Sequence, residues 1–433
     1  MQTASRKVIN GWAMYDWANS VYNLVITTTF FPIYFLAVTS GGAGEGHEVR
    51  FLGRTFINSS LYDYTLAVAY LFIALLYPIL TSIADTRGNK KNFLKFFCYM
   101  GSFGCVLLFF FDKSNLGLGI FAFMLAAMGY VGSLVFYNAY LPEIAAASDR
   151  DRISARGFSF GYIGSVIMQI IGFVLLIVLP DAGKATQITF LLVGLWWAGF
   201  AQITFARLPK TVLRGSGSGN ILKDGFREIS KVYAEVRYMP VLKRFLRGFF
   251  FYSMGVQTVM LAATLFGSKV LKLPDEKLII TVVIIQLVAI LGAWSMSRLS
   301  AVYGNLKVLM GVVMIWILIC LAAYFTANIA QRGVNAEYHF YGLAVGVGLV
   351  MGGIQSLSRS TYAKLMPETT DTASFFSYYD FAEKVAIVIG IFSFGLIDEL
   401  TGNMKYSILS LILFFAIGLG WLYSALKKQQ SVA

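Results

Sequence analysis

Asp85-Thr86-Arg87-Gly88-Asn89-Lys90-Lys91 is a short basic turn between two long apolar stretches of a 433-residue chain. Its charges and its one glycine suit a tight reversal between two helices. Gly88 is free to take a positive φ at such a reversal. Asp85 closes the apolar run that ends Thr81-Ser82-Ile83-Ala84, so it falls at the end of one helix and near the start of the next. A carboxylate there can meet a positive helix N-terminus, or the neighbouring Arg87, Lys90 and Lys91.

The flanks decide what kind of helices these are. The chain is 58% hydrophobic and only 13% charged, against about 25% charged in soluble domains. About 20 apolar residues cross the hydrocarbon core, so apolar stretches of that length read as spanning helices. Twelve occur, near 13–38, 61–83, 94–111, 117–139, 157–179, 187–206, 245–268, 277–298, 306–327, 339–360, 375–397 and 405–426. The expected fold class is an all-α membrane protein. The glycines of Gly342-x-x-x-Gly346-x-Gly348 and Gly352-Gly353 fit close helix packing.

With an even number of spans, both chain ends lie on one side. Most of the 35 Lys and Arg residues fall in loops of that side, whereas the opposite loops hold few, among them Arg50, Arg54, Lys113 and Lys184. The positive-inside rule then places both ends in the cytoplasm, with the plasma (inner) membrane as the expected location. The net charge of +13 follows from this topology and from contact with anionic lipid. Basic residues dispersed among loops do not suggest nucleic-acid binding. Cys98, Cys105 and Cys320 sit inside spans, which predicts neither a disulfide framework nor a metal site. His47 and His339 lie in or beside outer loops, and no HExxH, Walker or nucleophile-elbow motif occurs. Neither an enzyme nor a cofactor is expected. A non-transporting receptor or scaffold is the alternative function.

The chain divides once. Residues 1–206 hold six spans and 245–433 hold six more; 207–244 connect them. The connection contains Arg214-Gly215-Ser216-Gly217-Ser218-Gly219, flexible by composition. Leu222, Phe226, Ile229, Tyr233 and Val236 then recur at helical spacing opposite Lys223, Arg227 and Lys231, which predicts an amphipathic helix on the membrane surface, ended by Pro240. The halves echo one another. Tyr140-Leu141-Pro142-Glu143 follows the fourth span, and Lys364-Leu365-Met366-Pro367-Glu368 the tenth. Tyr303-Gly304-Asn305-Leu306-Lys307 faintly repeats the basic turn, with Ala301 where the Asp would stand.

The pattern D-x-x-G-x-K-K after the second span resembles the signature loop of the major facilitator superfamily, with Thr81 in place of the usual Gly. Tyr15-Asp16-Trp17-Ala18-Asn19-Ser20-Val21-Tyr22 resembles the opening of the vacuole-effluxer-like branch of that superfamily. Asn138-Ala139-Tyr140-Leu141-Pro142-Glu143, Gln355-Ser356-Leu357-Ser358-Arg359-Ser360 and Phe375-Phe376-Ser377-Tyr378-Tyr379-Asp380-Phe381 support it. The resemblance implies two six-helix bundles related by a parallel pseudo-repeat, and solute transport by alternating access. A fungal relative in this branch is associated with vacuolar amino-acid export.

The resemblance also implies a central cavity lined by spans 1, 4, 7 and 10. Mapped onto it, Asn19, Tyr22, Asn23, Tyr130, Tyr137, Asn138, Tyr252, Gln257 and Gln355 are the polar candidates. Interhelical hydrogen bonding is the other use for such groups, at about 1 kcal/mol each. Uncharged amides and phenols suit a small polar or zwitterionic solute, amino-acid-like rather than highly charged. Charged groups inside spans normally face a cavity or a partner. Asp380, Glu383 and Lys384 fall within about one turn, and Asp380 with Lys384 forms an i, i+4 pair. Glu383 is left for another partner, for which Arg359 is the candidate. Either a proton-coupling site, led by Glu383 with Asp380 or Asp16 as alternatives, or a structural ion network follows. The expected partners are a small-molecule solute and the lipid bilayer, with proton coupling, and the protein is expected to be a monomer.

Overall fold

The computed structural model describes residues 2–40, 48–209 and 221–431. The Gly/Ser segment at 214–219, His47, and the side chains of Arg87, Leu222, Lys223, Phe226 and Ile229 lie outside the described residues. Twelve long helices follow one another. They are α1 (Arg6–Thr39), α2 (Asn58–Arg87), α3 (Lys90–Leu108), α4 (Leu116–Ala139), α5 (Arg150–Val178) and α6 (Ala182–Arg207), then α7 (Pro240–Leu265), α8 (Asp275–Tyr303), α9 (Asn305–Gln331), α10 (Glu337–Leu365), α11 (Thr372–Thr401) and α12 (Met404–Gln430). Among the described residues, nine are long and apolar enough to cross a membrane by length and composition. The other three, α3, α7 and α11, carry Lys90, Lys91 and Lys95, then Lys243, Arg244 and Arg247, then Asp380, Glu383 and Lys384.

Helix pairing repeats between the halves. In the first, α1 packs on α5 and α6, α3 on α4 and α6, and α2 on α4. In the second, α7 packs on α11 and α12, α9 on α10 and α12, and α8 on α10. The halves meet through α2–α11 and α4–α11, matched by α8–α5 and α10–α5. Advancing every helix by six reproduces each pairing, as two bundles related by a parallel repeat require. Small residues let the backbones approach. A Cβ on Gly129 of α4 would collide with the backbone of Gly101 on α3, and one on Gly352 of α10 would collide with the carbonyl of Ala289 on α8.

The turn residues behave as their chemistry requires. Gly88 ends α2 at φ 67°, and Gly304 separates α8 from α9 at φ 86°. The faint sequence echo is therefore a repeated reversal. The chain ends share one face: Thr3 bonds Asp149 before α5, Asp151 bonds Asn305, and Leu306 and Lys307 share a groove with Gln429 and Gln430. Two features escaped the periodicity. A two-stranded hairpin, β1 (Glu48–Phe51) with β2 (Arg54–Ile57), joins α1 to α2, and α1 is π-helical over Tyr22–Phe30.

The connecting helix Ile221–Arg237 packs against α2, α7 and α11. Val232 and Val236 are buried while Tyr233 is exposed, and Lys231 pairs with Asp371 at 2.8 Å. The helix stops at Arg237, and Pro240 opens α7, where its missing N–H costs nothing.

Candidate functional site

A deeply buried ion pair lies between the halves. Arg359 of α10 is 3% exposed and Asp16 of α1 is 4% exposed. Both Nη atoms of Arg359 donate to Asp16 Oδ2 at 3.2 Å, and Tyr137 donates its hydroxyl to the same oxygen at 2.8 Å. Nε of Arg359 donates to Ser154 Oγ at 3.0 Å, Nη2 to the Ser154 carbonyl at 2.9 Å, and Nη1 to Asn138 Oδ1 at 3.4 Å. The guanidinium also lies over the rings of Trp12, Tyr137 and Phe158, at 4.8, 5.5 and 4.2 Å from their centroids. Desolvating two charges is costly unless their remaining hydrogen-bonding capacity is met. Here α1, α4 and α5 supply that capacity to a cation brought by α10. Gly157 makes the approach possible, since a Cβ there would strike Asp16 Oδ2 and Arg359 Nη2.

Two polar clusters join the halves nearer the chain ends. In the first, Asp85 accepts from the first turn of α11: Ala373 N at 3.3 Å, and Ser374 N and Oγ at 2.8 Å each. Lys90 lies 3.4 Å from Asp85, bonds Glu143, and donates to Thr372 Oγ1 at 2.8 Å. Lys91 instead donates to the carbonyl of Leu208 at 2.9 Å, within the first half. In the second cluster the carboxylate stands on the other partner. Asp151, at the start of α5, accepts from Ser300 at 2.8 Å, Asn305 at 2.7 Å and Lys364 at 2.5 Å. The position of the missing Asp in the repeated turn is thus answered by an Asp on α5.

In the α11 cluster, Lys384 donates to Glu383 at 2.7 Å and lies over Tyr70 of α2 at 5.7 Å. The direct hydrogen bond of Lys384 thus goes to Glu383, its side chain 20% exposed, while Asp380 acts on Lys384 electrostatically and has Oδ2 without a donor among the described residues. Arg359 is not the partner of Glu383; its donors are taken by Asp16, Ser154 and Asn138.

The other polar candidates separate into groups. Tyr137 and Asn138 belong to the Arg359 network. Tyr252 bonds Ser358 at 2.7 Å, and Gln355 accepts from Tyr162 at 3.0 Å. Asn23 and Gln257 are half-buried. Asn19 is buried with neither amide atom partnered among the described residues. Tyr22 packs against Tyr130 and Trp197, inside the first bundle rather than between the bundles.

A family model described as "Vacuole effluxer Atg22 like" matches residues 4–432. The chain belongs to the Atg22-like vacuole effluxer family. It is 31% identical to the uncharacterized MFS-type transporter YxiO of Bacillus subtilis (strain 168), over 95% of this chain and 92% of that protein. It is 26% identical to autophagy-related protein 22 of Kluyveromyces lactis, over 96% and 92% of the two chains. Among solved structures, it superposes on the human organic anion transporter MFSD10 with a TM-score of 0.72 at 12% identity, covering 96% of this chain and 99% of that one. A bacterial homologue of the iron transporter ferroportin in its outward-facing state gives 0.66 at 12% identity, over 96% and 98%. These likenesses make this Atg22-like protein a multi-pass membrane transporter of major facilitator type.

Several residues that tie the halves together were not singled out from sequence. Glu143 was legible only as part of an echoed Pro-Glu turn. Asp151, Ser300, Lys364 and Ser374 look like ordinary residues at helix ends. The signal that could have found Asp151 was the missing acid at Ala301, which called for a carboxylate from elsewhere.

Proposed function

We propose that this Atg22-like protein is a proton-coupled secondary transporter that moves a small polar or zwitterionic solute, amino-acid-like in its charges, by alternating access. The observation that carries this reading is the buried Asp16–Arg359 pair between the bundles. Residues 1–206 and 245–433 act as the two moving bodies, joined through 207–244. A zwitterion has the charges to exchange with the pair: its carboxylate matches Arg359 and its ammonium matches Asp16. Asn19, Asn23, Asn138, Tyr137, Tyr252, Gln257 and Gln355 supply neutral contacts around it. Asp85 with Lys90, and Asp151 with Lys364, close the face of the chain ends, which faces the cytoplasm. The plasma membrane and a monomeric state complete the reading.

Asp380 takes the place of Glu383 as the leading proton carrier. Glu383 and Asp16 would each give up a direct ion pair on binding a proton, whereas Asp380 Oδ2 has no hydrogen-bond donor among the described residues. The test uses proteoliposomes holding a trapped pH-sensitive dye. A mixture of neutral amino acids added outside, without an imposed gradient, should acidify the lumen through the wild-type protein and not through Asp380→Asn. Accumulation of labelled amino acids without proton entry contradicts the coupling; absence of both contradicts the solute class.

A further inference from the structure

The π-helical stretch Tyr22–Phe30 of α1 lies beyond Asp16, toward the face opposite the chain ends. A π-helix is rare, and it recurs at functional sites. Here it turns one carbonyl into a hub. Leu24 O accepts from Thr28 Oγ1 and Thr29 Oγ1 at 2.8 Å each, and from Gln169 Nε2 of α5 at 2.9 Å. Gln169 Nε2 also reaches Thr29 Oγ1 at 3.1 Å. From the other half, Gln286 of α8 donates Nε2 to Gln169 Oε1 at 3.1 Å. Gln169 is 0% exposed and Gln286 1% exposed.

The order of donors in this chain is fixed by chemistry. A peptide carbonyl only accepts, so Gln169 must turn its NH₂ toward Leu24. Its carbonyl oxygen then faces α8, and Gln286 must answer with its own NH₂. Gln286 Oε1 is left without a donor among the described residues. It borders a narrow cleft between the halves, with Leu24, Thr28, Met260, Thr281 and Phe340. None of the residues lining that cleft is an acid or a base.

We propose that the Leu24–Gln169–Gln286 chain closes the face opposite the chain ends, with Gln286 the positioning residue that seats α8 against α5 and, through Gln169, ties it to the π-helical turn of α1. This rests on the transporter reading. The two faces then close by different physics. The face of the chain ends closes on carboxylates and cations, and the opposite face on amides that do not titrate. Separating the Gln169–Gln286 pair removes the hydrogen bond between α5 and α8, so that face opens without parting charges.

The polarity of the chain makes the test specific. Thr281→Cys places a thiol in the cleft, while the native cysteines stay buried. Labelling by a membrane-impermeant maleimide is measured on the purified protein in lipid nanodiscs. Each rate is expressed relative to Thr281→Cys alone at the same pH. Adding Gln286→Leu should speed labelling about fivefold at every pH, because one hydrogen bond is lost. Adding Gln286→Glu should leave labelling near the parental rate at about pH 5, where a carboxylic acid can donate to Gln169 Oε1. Toward about pH 9 the ionised carboxylate faces that oxygen and labelling should rise, reversibly in the same sample. A parental rate for the Leu variant, or a relative rate for the Glu variant that does not change with pH, overturns the proposal. A misfolded variant cannot imitate a reversible rise. Because the readout is accessibility, failure of solute flux would leave this pattern unchanged, and the two readings fail separately.

Discussion

Ser374 donates twice to Asp85, through its backbone N–H and its hydroxyl, both at 2.8 Å to Oδ2. The pair joins the end of α2 to the first turn of α11, so a carboxylate of one half meets the positive helix terminus of the other. Under the alternating-access proposal it is an interaction that exists only while this face is closed.

Asp85→Asn should open that face. A hydrogen bond to a charged group contributes about 1.5–3 kcal/mol, so the open population should rise roughly tenfold or more. Rapid modification of cysteines placed on the inner walls of α2 and α11, with unchanged expression, is the expected result. Ser374→Ala, which keeps the backbone bond, should produce a smaller shift in the same direction.

Asp151→Ala should act independently of Asp85→Asn. Asp151 draws on Ser300, Asn305 and Lys364, and shares none of the partners of Asp85. Effects at sites without shared partners add to within about 0.5 kcal/mol. The double variant should therefore shift the closed fraction by the sum of the single shifts. A double variant no worse than either single one would place both carboxylates in one cooperative unit.

Gly157→Ala should damage the centre without removing any charge. The new methyl group would meet Asp16 Oδ2 and Arg359 Nη2. Overpacking of this kind costs about 1–3 kcal/mol. A lower melting temperature and loss of flux are expected, with Gly157→Ser no better. Wild-type flux in Gly157→Ala would mean that the Asp16–Arg359 contact is dispensable.

Asp380 and Glu383 should part company in a pH profile. Asp380→Asn should leave solute exchange intact and make its rate insensitive to pH. Glu383→Gln removes the hydrogen-bonded partner of Lys384, which is 5% exposed, so it should lower stability while keeping the pH profile.

The architecture was legible because its causes are local. Apolar length marks spans, basic loops mark one face, and Gly88 marks a reversal that the structure carries out at φ 67°. Asp85 was legible for the same reason: an acid at the end of one helix, next to the start of another, has few places to go. Pairing was not legible where it depends on reach across the bundle. Helical spacing paired Lys384 with Asp380, which acts on it electrostatically, but did not show that its hydrogen bond goes to Glu383. Arg359 was assigned by chain order to the nearest free acid, yet it finds Asp16, 343 positions away. The amide chain through Gln169 and Gln286 carries no charge inside an apolar run, so nothing in the pattern singled it out.

The most direct test of the account follows the two halves at the face of the chain ends. Spin labels at Arg6→Cys and Tyr303→Cys, both exposed positions on opposite halves, report their separation by pulsed electron resonance. The wild-type protein should give a distribution dominated by one short distance. Asp16→Asn and Arg359→Gln should each transfer population to a longer distance, and a charge-swapped Asp16→Arg/Arg359→Asp variant should return part of it. Identical distributions in all four proteins would contradict the claim that the Asp16–Arg359 pair holds the two bundles together on this face.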